Sequence, residues 1–411
     1  MSRILLVLNH HAAPSETFQR LLAVGLAEAG HEVVIHGLAG APPSGPPLHP
    51  GVSYSRALPA VRRPGALVGD LARRRGAGAH LAVSRATQRF GRTTRAARAA
   101  ALAGPILEQR PDAVHLGFSG IGLALEDALD LLDGIPLVVS CRGTEELVHC
   151  ALDEARAERI GALLRRAARV HCVADAVADA VVAMGVERSS IRVIRPAVDV
   201  EAWAGGPRPA PHAPWRLATT TRLVTRKGAE DLLAAMAMLV EGGLDVQLTV
   251  MGDGPERDDL RLRALRLGLG DRVDWAGVVA PERIRSVLAA THLYVSASWS
   301  EGISNGVLEA MAGGVPVVST EVGGMREVIT PGEDGWLAPA CRPDRLAEVI
   351  AGALSAPDRL ASVAAAGRAR VRTGFVREQH VAAWQALYGG LLGAGSPPDR
   401  ADDPSRKDPT P

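Results

Sequence analysis

Short apolar runs recur along the whole chain, and each is followed by a polar loop and then by a longer segment with helical periodicity. Ile4–Leu8 is the first such run, and Val246–Met251 is one from the second half. Runs of this kind are typical of strands buried on both faces, and their alternation with helices is typical of parallel sheets. The pattern therefore predicts an α/β fold of the doubly wound type.

One stretch near the middle of the chain interrupts this alternation. Residues Trp203 to Pro214 hold four prolines and two glycines in twelve positions, which is typical of a linker. A length of 411 residues suits two domains of roughly 100–200 residues each. We expect a first domain over residues 1–200, a linker over 201–214, a second domain over 215–375, a last helix over 376–393 and a disordered, Pro-rich and charged tail over 394–411.

The composition narrows the class of protein. The chain is 47% apolar with a net charge of +1, and it holds only six Trp, three Tyr and four Phe, which does not fit a generic nucleic-acid binder. No apolar run reaches the roughly 18–20 residues of a membrane span. We expect a cytoplasmic protein, either soluble or peripheral on the inner face of the membrane. Four cysteines lack metal-ligand spacing and are expected to be free thiols: Cys141, Cys150, Cys172 and Cys341.

The sharpest charge asymmetry lies between Arg56 and Arg98. This stretch holds eleven arginines and one acid, Asp70, and its pattern predicts one or two helices. One interpretation is a solvated face in an arginine-rich sequence. The other is attraction to an anionic membrane surface or a pyrophosphate-linked acceptor, at about 1 kcal/mol per basic residue near a membrane. Nucleic acid is less favoured, because almost no aromatic residues are interleaved for stacking.

Residues 293–320 carry the most informative pattern, a strand over Leu293–Ser298, a tight polar loop, a short helix and a second strand. Glu301 lies in the loop and Glu309 in the helix, eight positions apart, and carboxylates there can accept hydrogen bonds from sugar hydroxyls. The alternative is that Glu309 faces solvent and that Glu301 only favours the start of the helix.

The start of that helix also predicts an anion site. Ser304 can cap the helix, so the N–H groups that follow point outward with the positive end of the helix dipole behind them. We expect the N–H groups of Asn305, Gly306 and Val307 to form a diphosphate cradle. The preceding residues Gly302, Ile303 and Ser304 are included in the same candidate binding segment.

Two cations follow the first predicted strand of the second half. Arg222 and Lys227 lie five positions apart on the loop between the strand Leu217–Thr221 and a helix. The helix dipole mildly disfavours cations there, which favours a functional interpretation over an incidental one. Together they can neutralise a diphosphate and its leaving-group charge without a metal. Gly252 and Gly254, after the strand Val246–Met251, permit close approach of a backbone.

The segment from Glu301 to Glu309 resembles the E-x7-E motif of the retaining glycosyltransferases of family 4, which have the GT-B fold. Arg222 and Lys227 match a basic pair of that family, and Gly252-Asp-Gly-Pro255 matches its G-D-G-P turn. The resemblance covers roughly residues 3–392 and is strongest from Arg222 to Leu337.

This resemblance implies two Rossmann-like, doubly wound domains facing a central cleft. It also implies transfer of a sugar from a UDP- or GDP-sugar to a glycan, lipid-linked or small-molecule acceptor, with no other cofactor. The sequence holds no D-x-D motif, so metal dependence is not expected. In the family the basic pair clamps the diphosphate, the first glutamate lies against the donor sugar and the second binds the ribose. These roles fall on Arg222 with Lys227, on Glu301 and on Glu309. The last helix is expected to cross back to the first domain.

The first half matches the family in patches. Ser15-Glu16-Thr17-Phe18 resembles the S-E-T-F of family 4 enzymes that build bacterial exopolysaccharides. That loop faces the cleft in those enzymes, which makes Ser15 and Glu16 candidate site residues. A helix cap alone would also account for Ser15.

The chain departs from the family at Arg142, where a histidine commonly touches the donor sugar. An arginine cannot serve as a general base, but it can hold a phosphate or carboxylate bidentately. His115, at the end of a neighbouring predicted strand, is the remaining candidate histidine. The departure keeps two alternatives open, a binding protein of the same fold without catalysis and a sugar-nucleotide epimerase. A phosphorylase would need a pyridoxal-bearing lysine, for which the sequence holds no specific signal.

Overall fold

The computed structural model describes residues 1–10, 17–39, 43, 48–55, 76–204 and 209–393, with residues 17 and 18 described by their backbone alone. Within these residues the chain forms two sheets of parallel strands, one in each half. None of the helices in these ranges is both long and apolar enough to cross a lipid bilayer.

The first sheet has seven strands in the order β3-β2-β1-β4-β5-β6-β7. Its strands are β1 (Arg3–His10), β2 (Glu32–Ala39), β3 (Val52–Tyr54), β4 (Ala113–Leu116), β5 (Leu137–Cys141), β6 (Arg169–Cys172) and β7 (Ile191–Val193). The order reverses between β1 and β4, and this is the switch point where doubly wound sheets open a crevice.

The second sheet has six strands in the order β10-β9-β8-β11-β12-β13. Its strands are β8 (Trp215–Thr220), β9 (Val246–Met251), β10 (Val273–Gly277), β11 (Leu293–Ser296), β12 (Val317–Thr320) and β13 (Trp336–Ala338). The switch point here lies between β8 and β11, so the loops after these two strands are placed to meet.

Helices connect the strands and cover both faces of each sheet. In the first half they are α1 (Thr17–Glu28), α2 (Ala77–Phe90), α3 (Thr94–Glu108), α4 (Ser119–Ala124), α5 (Glu126–Leu129), α6 (Cys150–Leu152), α7 (Glu154–Arg166) and α8 (Asp175–Ala183). In the second half they are α9 (Ala229–Glu241), α10 (Arg257–Arg266), α11 (Pro281–Ala289), α12 (Asn305–Ala312), α13 (Met325–Val328), α14 (Pro343–Leu354), α15 (Pro357–Gly374) and α16 (Arg377–Leu392).

The last helix belongs spatially to the first domain. Trp384, Leu387 and Tyr388 of α16 pack in one buried cluster with Ile4 and Leu6 of β1. Tyr388 is completely buried. Helix α16 therefore completes the hydrophobic core of the first domain although it follows the second domain in the chain.

Candidate functional site

The loops that follow β8 and β11 come together at the switch point of the second sheet. The backbone N–H of Trp299 donates to the carbonyl of Arg226 at 2.8 Å, and Trp299 Nε1 donates to Asp231 Oδ2 at 2.6 Å. Gly228 has a φ of +62°, and a Cβ on it would lie 1.9 Å from the carbonyl oxygen of Ala297. These contacts fix the basic loop against the acidic one.

The structure pairs two of the predicted site residues with each other. Lys227 Nζ lies 2.5 Å from Glu301 Oε1, with the side chains only 16% and 14% exposed. Ser298 Oγ donates to the same carboxylate oxygen at 2.8 Å. Because removing one partner of a partly buried ion pair leaves a costly lone charge, Lys227 and Glu301 orient each other in the cleft.

Two arginines flank this ion pair. Arg222 is exposed and Arg226 half-buried, and within the described part of the chain neither guanidinium has a carboxylate or hydrogen-bond partner. Burial and the neighbouring Arg222 lower the pKa of Arg226, against the charge of Glu301, which raises it. The sequence predicted Arg222 and missed Arg226. Both cations are thus left without an ion-pair partner among the residues that the structure describes.

Helix α12 begins near the end of β8, the strand that leads into the basic loop, since a Cβ on Gly306 would lie 3.3 Å from the carbonyl oxygen of Thr220. Ser304 occupies the N-cap position, but its side chain makes no capping hydrogen bond, so the capping role predicted for it is wrong. Its φ of −80° and ψ of 116° give the extended entry of a cap without the side-chain contact. Among the described residues no acceptor binds the backbone N–H of Asn305, Gly306 or Val307, so these groups remain available to an anion.

Glu309 lies within α12 and is half-buried. Burial raises the pKa of its carboxyl to about 7, and no hydrogen bond or ion pair reaches that carboxyl from the described residues. The alternative in which Glu309 simply faces solvent does not fit this burial. A desolvated carboxylate without a partner is suited to accept hydrogen bonds from a ligand's hydroxyls.

Steric contacts within the chain explain why residues 252 and 254 are glycines. A Cβ on Gly252 would lie 1.7 Å from the carbonyl oxygen of Thr221, and one on Gly254 would lie 2.2 Å from that of Leu223. The close backbone approach predicted for these glycines is therefore made by the chain itself. They shape the loop that carries Arg222.

Gly302 and Ile303 face the first domain. A Cβ on Gly302 would lie 2.5 Å from Val173 Cγ2 and 2.6 Å from the carbonyl oxygen of Arg142. Ile303 is 9% exposed and belongs to a buried cluster that includes Val173. These two residues contact the first domain at the base of the cleft. Because the Ile303 side chain is buried there, only its backbone could contact a ligand.

Arg142 lies on the first-domain side of the cleft. Its Nε donates to the carbonyl of Gly117 at 3.0 Å, and its guanidinium carbon lies 5.6 Å from the centre of the Phe118 ring. Gly143, the next residue, has a φ of +106°, and a Cβ there would lie 2.8 Å from the backbone nitrogen of Gly302. Arg142 thus stands opposite the acidic loop of the second domain.

His115 lies in the core of the first domain. It is 0% exposed, its Nε2 hydrogen-bonds with Ser140 Oγ at 2.8 Å, and its Nδ1 hydrogen-bonds with Tyr388 Oη at 2.8 Å. Burial, with the charge of Arg142, lowers the pKa of His115 to about 3. The predicted catalytic role of His115 is wrong, because helix α16 covers it and both ring nitrogens are occupied.

Two further predicted residues, Ser15 and Glu16, lie outside the described residues. Among residues that the sequence analysis missed, Ser298 could have been found from its spacing of three positions before Glu301, and Arg226 from its place beside Lys227.

Family models cover most of the chain. Residues 208–370 match the model described as glycosyl transferases group 1, and residues 15–197 match the glycosyl transferase 4-like domain. The two matches correspond to the two halves of the fold.

Named relatives share about a third of their aligned residues with this chain. It is 31% identical over 207 residues to the amylovoran biosynthesis glycosyltransferase AmsK of Erwinia amylovora, covering 49% of this chain and 50% of that protein. It is 30% identical over 220 residues to the putative colanic acid biosynthesis glycosyltransferase WcaL of Escherichia coli K12, covering 52% of this chain and 54% of that protein. The matched region thus spans about half the length of these curated relatives.

Solved structures resemble the whole fold. Sucrose-phosphate synthase of Thermosynechococcus elongatus superposes with a TM-score of 0.75 at 22% identity, covering 96% of this chain and all of that one. Anabaena Alr3699/HepE in complex with UDP-glucose gives a TM-score of 0.71 at 18% identity, covering 95% of this chain and all of that one. The predicted architecture, two Rossmann-like domains in the GT-B arrangement, is confirmed.

Proposed function

Because the chain belongs to the group 1 glycosyl transferases, with a glycosyl transferase 4-like first domain, we propose that it is a retaining glycosyltransferase. It moves a sugar from a nucleoside-diphosphate sugar to an acceptor hydroxyl. The acceptor oxygen bonds to the anomeric carbon as the bond to the diphosphate breaks, and the proton of the acceptor passes to the departing diphosphate. The retained configuration rests on the resemblance of Glu301–Glu309 to the E-x7-E motif.

One observation carries the donor assignment. The guanidinium groups of Arg222 and Arg226 form no ion pair or hydrogen bond with the described residues, and both arginines follow β8, whose last residue, Thr220, lies near the unbonded N–H groups at the start of α12. A diphosphate supplies the missing negative charge, and fixed donors at that position stabilise the charge that develops as it leaves. No metal is required for this neutralisation, so we propose metal-independent transfer.

The remaining groups orient the donor. Lys227 and Glu301 form one unit, in which Glu301 accepts from a sugar hydroxyl while Lys227 extends the cationic surface toward the diphosphate. Glu309 accepts from the ribose hydroxyls. HepE, a protein of similar fold whose structure holds UDP-glucose, makes UDP-sugars the first donors to try, followed by GDP-sugars.

The acceptor enters from the first domain, where Arg142 faces the loop of Glu301. The names of AmsK and WcaL refer to polysaccharide biosynthesis, and we propose a glycan or lipid-linked acceptor for this chain. Arg142 suits an acceptor that carries phosphate or carboxylate. A protein that binds nucleotide sugar without turnover is the second candidate, favoured by the arginine at this position.

The proposed anionic membrane surface rests on the stretch Arg56–Arg98, of which residues 56–75 lie outside the described residues. In the described part, Arg85 donates to the carbonyl of Leu131 at 2.6 Å, and Arg95 pairs with Asp127 at 2.8 Å. Internal partners therefore take up part of the charge. Co-sedimentation with anionic vesicles, compared with neutral ones and with high salt, tests what remains; equal binding to both contradicts the proposal.

The experiment for the proposed function is a thermal-shift panel of UDP, GDP, ADP and dTDP with their common sugars, with EDTA present. A ligand at 100 times its Kd should stabilise the fold by about 2.7 kcal/mol. The winning donor is then incubated with candidate acceptors, and NMR of the product reports the anomeric configuration. No shift with any nucleotide contradicts the donor site. A shift without transfer to any acceptor favours the binding protein, and a changed sugar on the recovered donor identifies an epimerase.

A further inference from the structure

The carboxylate of Glu327, in the second domain, binds to backbone N–H groups and an arginine of the first domain. Glu327 Oε1 accepts from the backbone N–H of Asp175 at 2.7 Å and from that of Ala176 at 3.3 Å. Glu327 Oε2 accepts from Arg195 Nε at 2.8 Å. All three donors belong to the first domain, and only the carboxylate comes from the second.

The first domain does not cap this helix itself. Helix α8 starts at Asp175, and its N-cap residue is Ala174, which makes no side-chain hydrogen bond. Alanine is among the least favoured residues at an N-cap because it cannot accept from the exposed N–H groups. Glu327 supplies the acceptor from the other domain, and Arg195 adds a charge-assisted bond. The Glu327 side chain is accordingly only 17% exposed.

The segment that carries Glu327 is joined directly to the acidic loop of the candidate site. The backbone N–H of Gly324 donates to the carbonyl of Gly302 at 2.7 Å. A Cβ on Gly323 would lie 1.8 Å from the carbonyl oxygen of Glu301. A change in where Glu327 docks must therefore move the Glu301 loop or break these contacts.

The same residue is also tied to the chain that returns to the first domain. Arg370 of α15 donates to the carbonyl of Glu327 at 2.8 Å, and His380 of α16 bonds through Nδ1 to the carbonyl of Arg195 at 2.7 Å. Glu327 and Arg195 are thus each anchored to the segment that joins the two domains.

We propose that Glu327 is a positioning residue, a latch that docks into the amide and arginine site at the start of α8 and so sets the distance between the first domain and the Glu301 loop. Its docking can be tested without any substrate. Its effect on sugar transfer rests on the proposed function.

The test compares Glu327→Ala and Glu327→Gln with Glu333→Ala, an exposed glutamate of the same domain. Hydrogen exchange reports on the amides of Asp175 and Ala176. A second measurement uses spin labels on Cys341, which is exposed while the other cysteines are buried, and on Leu152→Cys, a first-domain position that is 83% exposed. Two further measurements are the Kd of the nucleotide identified by thermal shift, obtained by calorimetry, and kcat with the corresponding donor.

For Glu327→Ala we expect exchange at the two amides to rise about tenfold or more and the distribution of label distances to broaden. Nucleotide Kd should stay within about twofold, because its site is unchanged, while kcat falls about 10- to 100-fold through lost positioning. Glu327→Gln keeps an oxygen acceptor for the amides and loses the ion pair. Its amide exchange, label distances and kcat should therefore lie between those of the parent and those of Glu327→Ala. Glu333→Ala should match the parent.

Unchanged exchange and unchanged label distances in Glu327→Ala would overturn the latch. A broadened distance distribution with parental kcat would overturn its positioning role. If no nucleotide binds the parent protein, the proposed function fails, while the exchange and distance measurements still decide whether Glu327 docks.

Discussion

The ammonium of Lys227 and the carboxylate of Glu301 lie 2.5 Å apart, on loops that leave two neighbouring strands on either side of the switch point. The sequence motif assigns these residues to different parts of a donor, one to the diphosphate and the other to the sugar. Because the two side chains are in contact, we propose that the two assignments describe one unit. In this proposal a donor meets both charges together rather than each of them separately.

We expect strong coupling between these two positions. Glu301→Gln leaves Lys227 unpaired in a partly buried site, and Lys227→Met does the same to Glu301, so each single change should lower kcat about 100-fold or more. The double variant should lose less than the product of the two effects. A double-mutant cycle on kcat and on unfolding free energy measures this. Simple additivity would contradict a shared unit.

Glu309 should weaken the unliganded fold while strengthening nucleotide binding. Its pKa in the folded protein, about 7, lies above the ordinary value of 4.5. The folded protein therefore holds this proton more tightly than the unfolded chain, and the free energy of unfolding falls as the pH rises from 4.5 to about 7. Each pKa unit corresponds to about 1.4 kcal/mol.

Glu309→Gln should accordingly stabilise the unliganded protein at about pH 8 by a few kcal/mol at most, with little change at pH 4.5. Nucleotide affinity of the parent should rise as the pH passes about 7 and Glu309 ionises, and this rise should disappear in the variant. Denaturant unfolding and calorimetry at several pH values check both effects. Equal pH dependence in parent and variant would remove Glu309 from the ribose role.

Arg222 and Arg226 should contribute comparably to diphosphate binding. Each change to alanine removes one unpaired cation, so we expect nucleotide Kd to weaken by about tenfold or more and its salt dependence to fall. Arg261→Ala, an exposed arginine of α10 in the same domain, is the control and should leave Kd unchanged. Normal affinity in Arg226→Ala would show that this arginine has another role.

The buried histidine should affect stability alone. Tyr388→Phe removes the hydroxyl that bonds to His115 Nδ1 at 2.8 Å, leaving a buried nitrogen without its partner at a cost of about 1–3 kcal/mol. Denaturant unfolding should show that loss, and calorimetry should show parental nucleotide affinity. Weaker binding at unchanged stability would instead connect His115 to the cleft.

The contact between the domains gives a steric test. Gly302→Ala places a methyl group 2.5 Å from Val173 Cγ2, so the domains must separate to accept it, and kcat should fall while nucleotide Kd changes little. Gly352→Ala, whose Cβ meets nothing within 4 Å, is the matched control and should stabilise helix α14 by up to about 1 kcal/mol. Parental kcat in Gly302→Ala would show that this contact is not needed for turnover.

Secondary structure could be predicted from the sequence where it depends mainly on local residues. The apolar run Val246–Met251 forms β9 with the same bounds, since a buried strand needs little beyond its apolar side chains. The strand predicted to end at Ser298 ends at Ser296, because the next residues turn to hold Glu301. The spacing within residues 222–309 also placed the two charged loops at one sheet edge.

Contacts between distant segments could not be predicted in this way. His115 is paired by Tyr388, 273 positions later, and Glu327 caps a helix 152 positions earlier. Neither of these long-range contacts can be recognised from the local pattern of apolar and polar residues. Only Ala174, a residue unable to cap the helix it precedes, hints that an acceptor comes from elsewhere.

The position of α16 has a consequence for synthesis on the ribosome. Strand β1, with Ile4 and Leu6, is translated before the second domain, but Trp384 and Tyr388, which pack against it, are translated only after that domain. A nascent chain lacking them leaves the face of β1 and the polar ring of His115 uncovered. The first domain therefore cannot complete its hydrophobic core until the second domain and α16 have been synthesised, so both domains finish folding at the same stage. A stop codon before α16 should accordingly yield a product bound by chaperones rather than an independent domain.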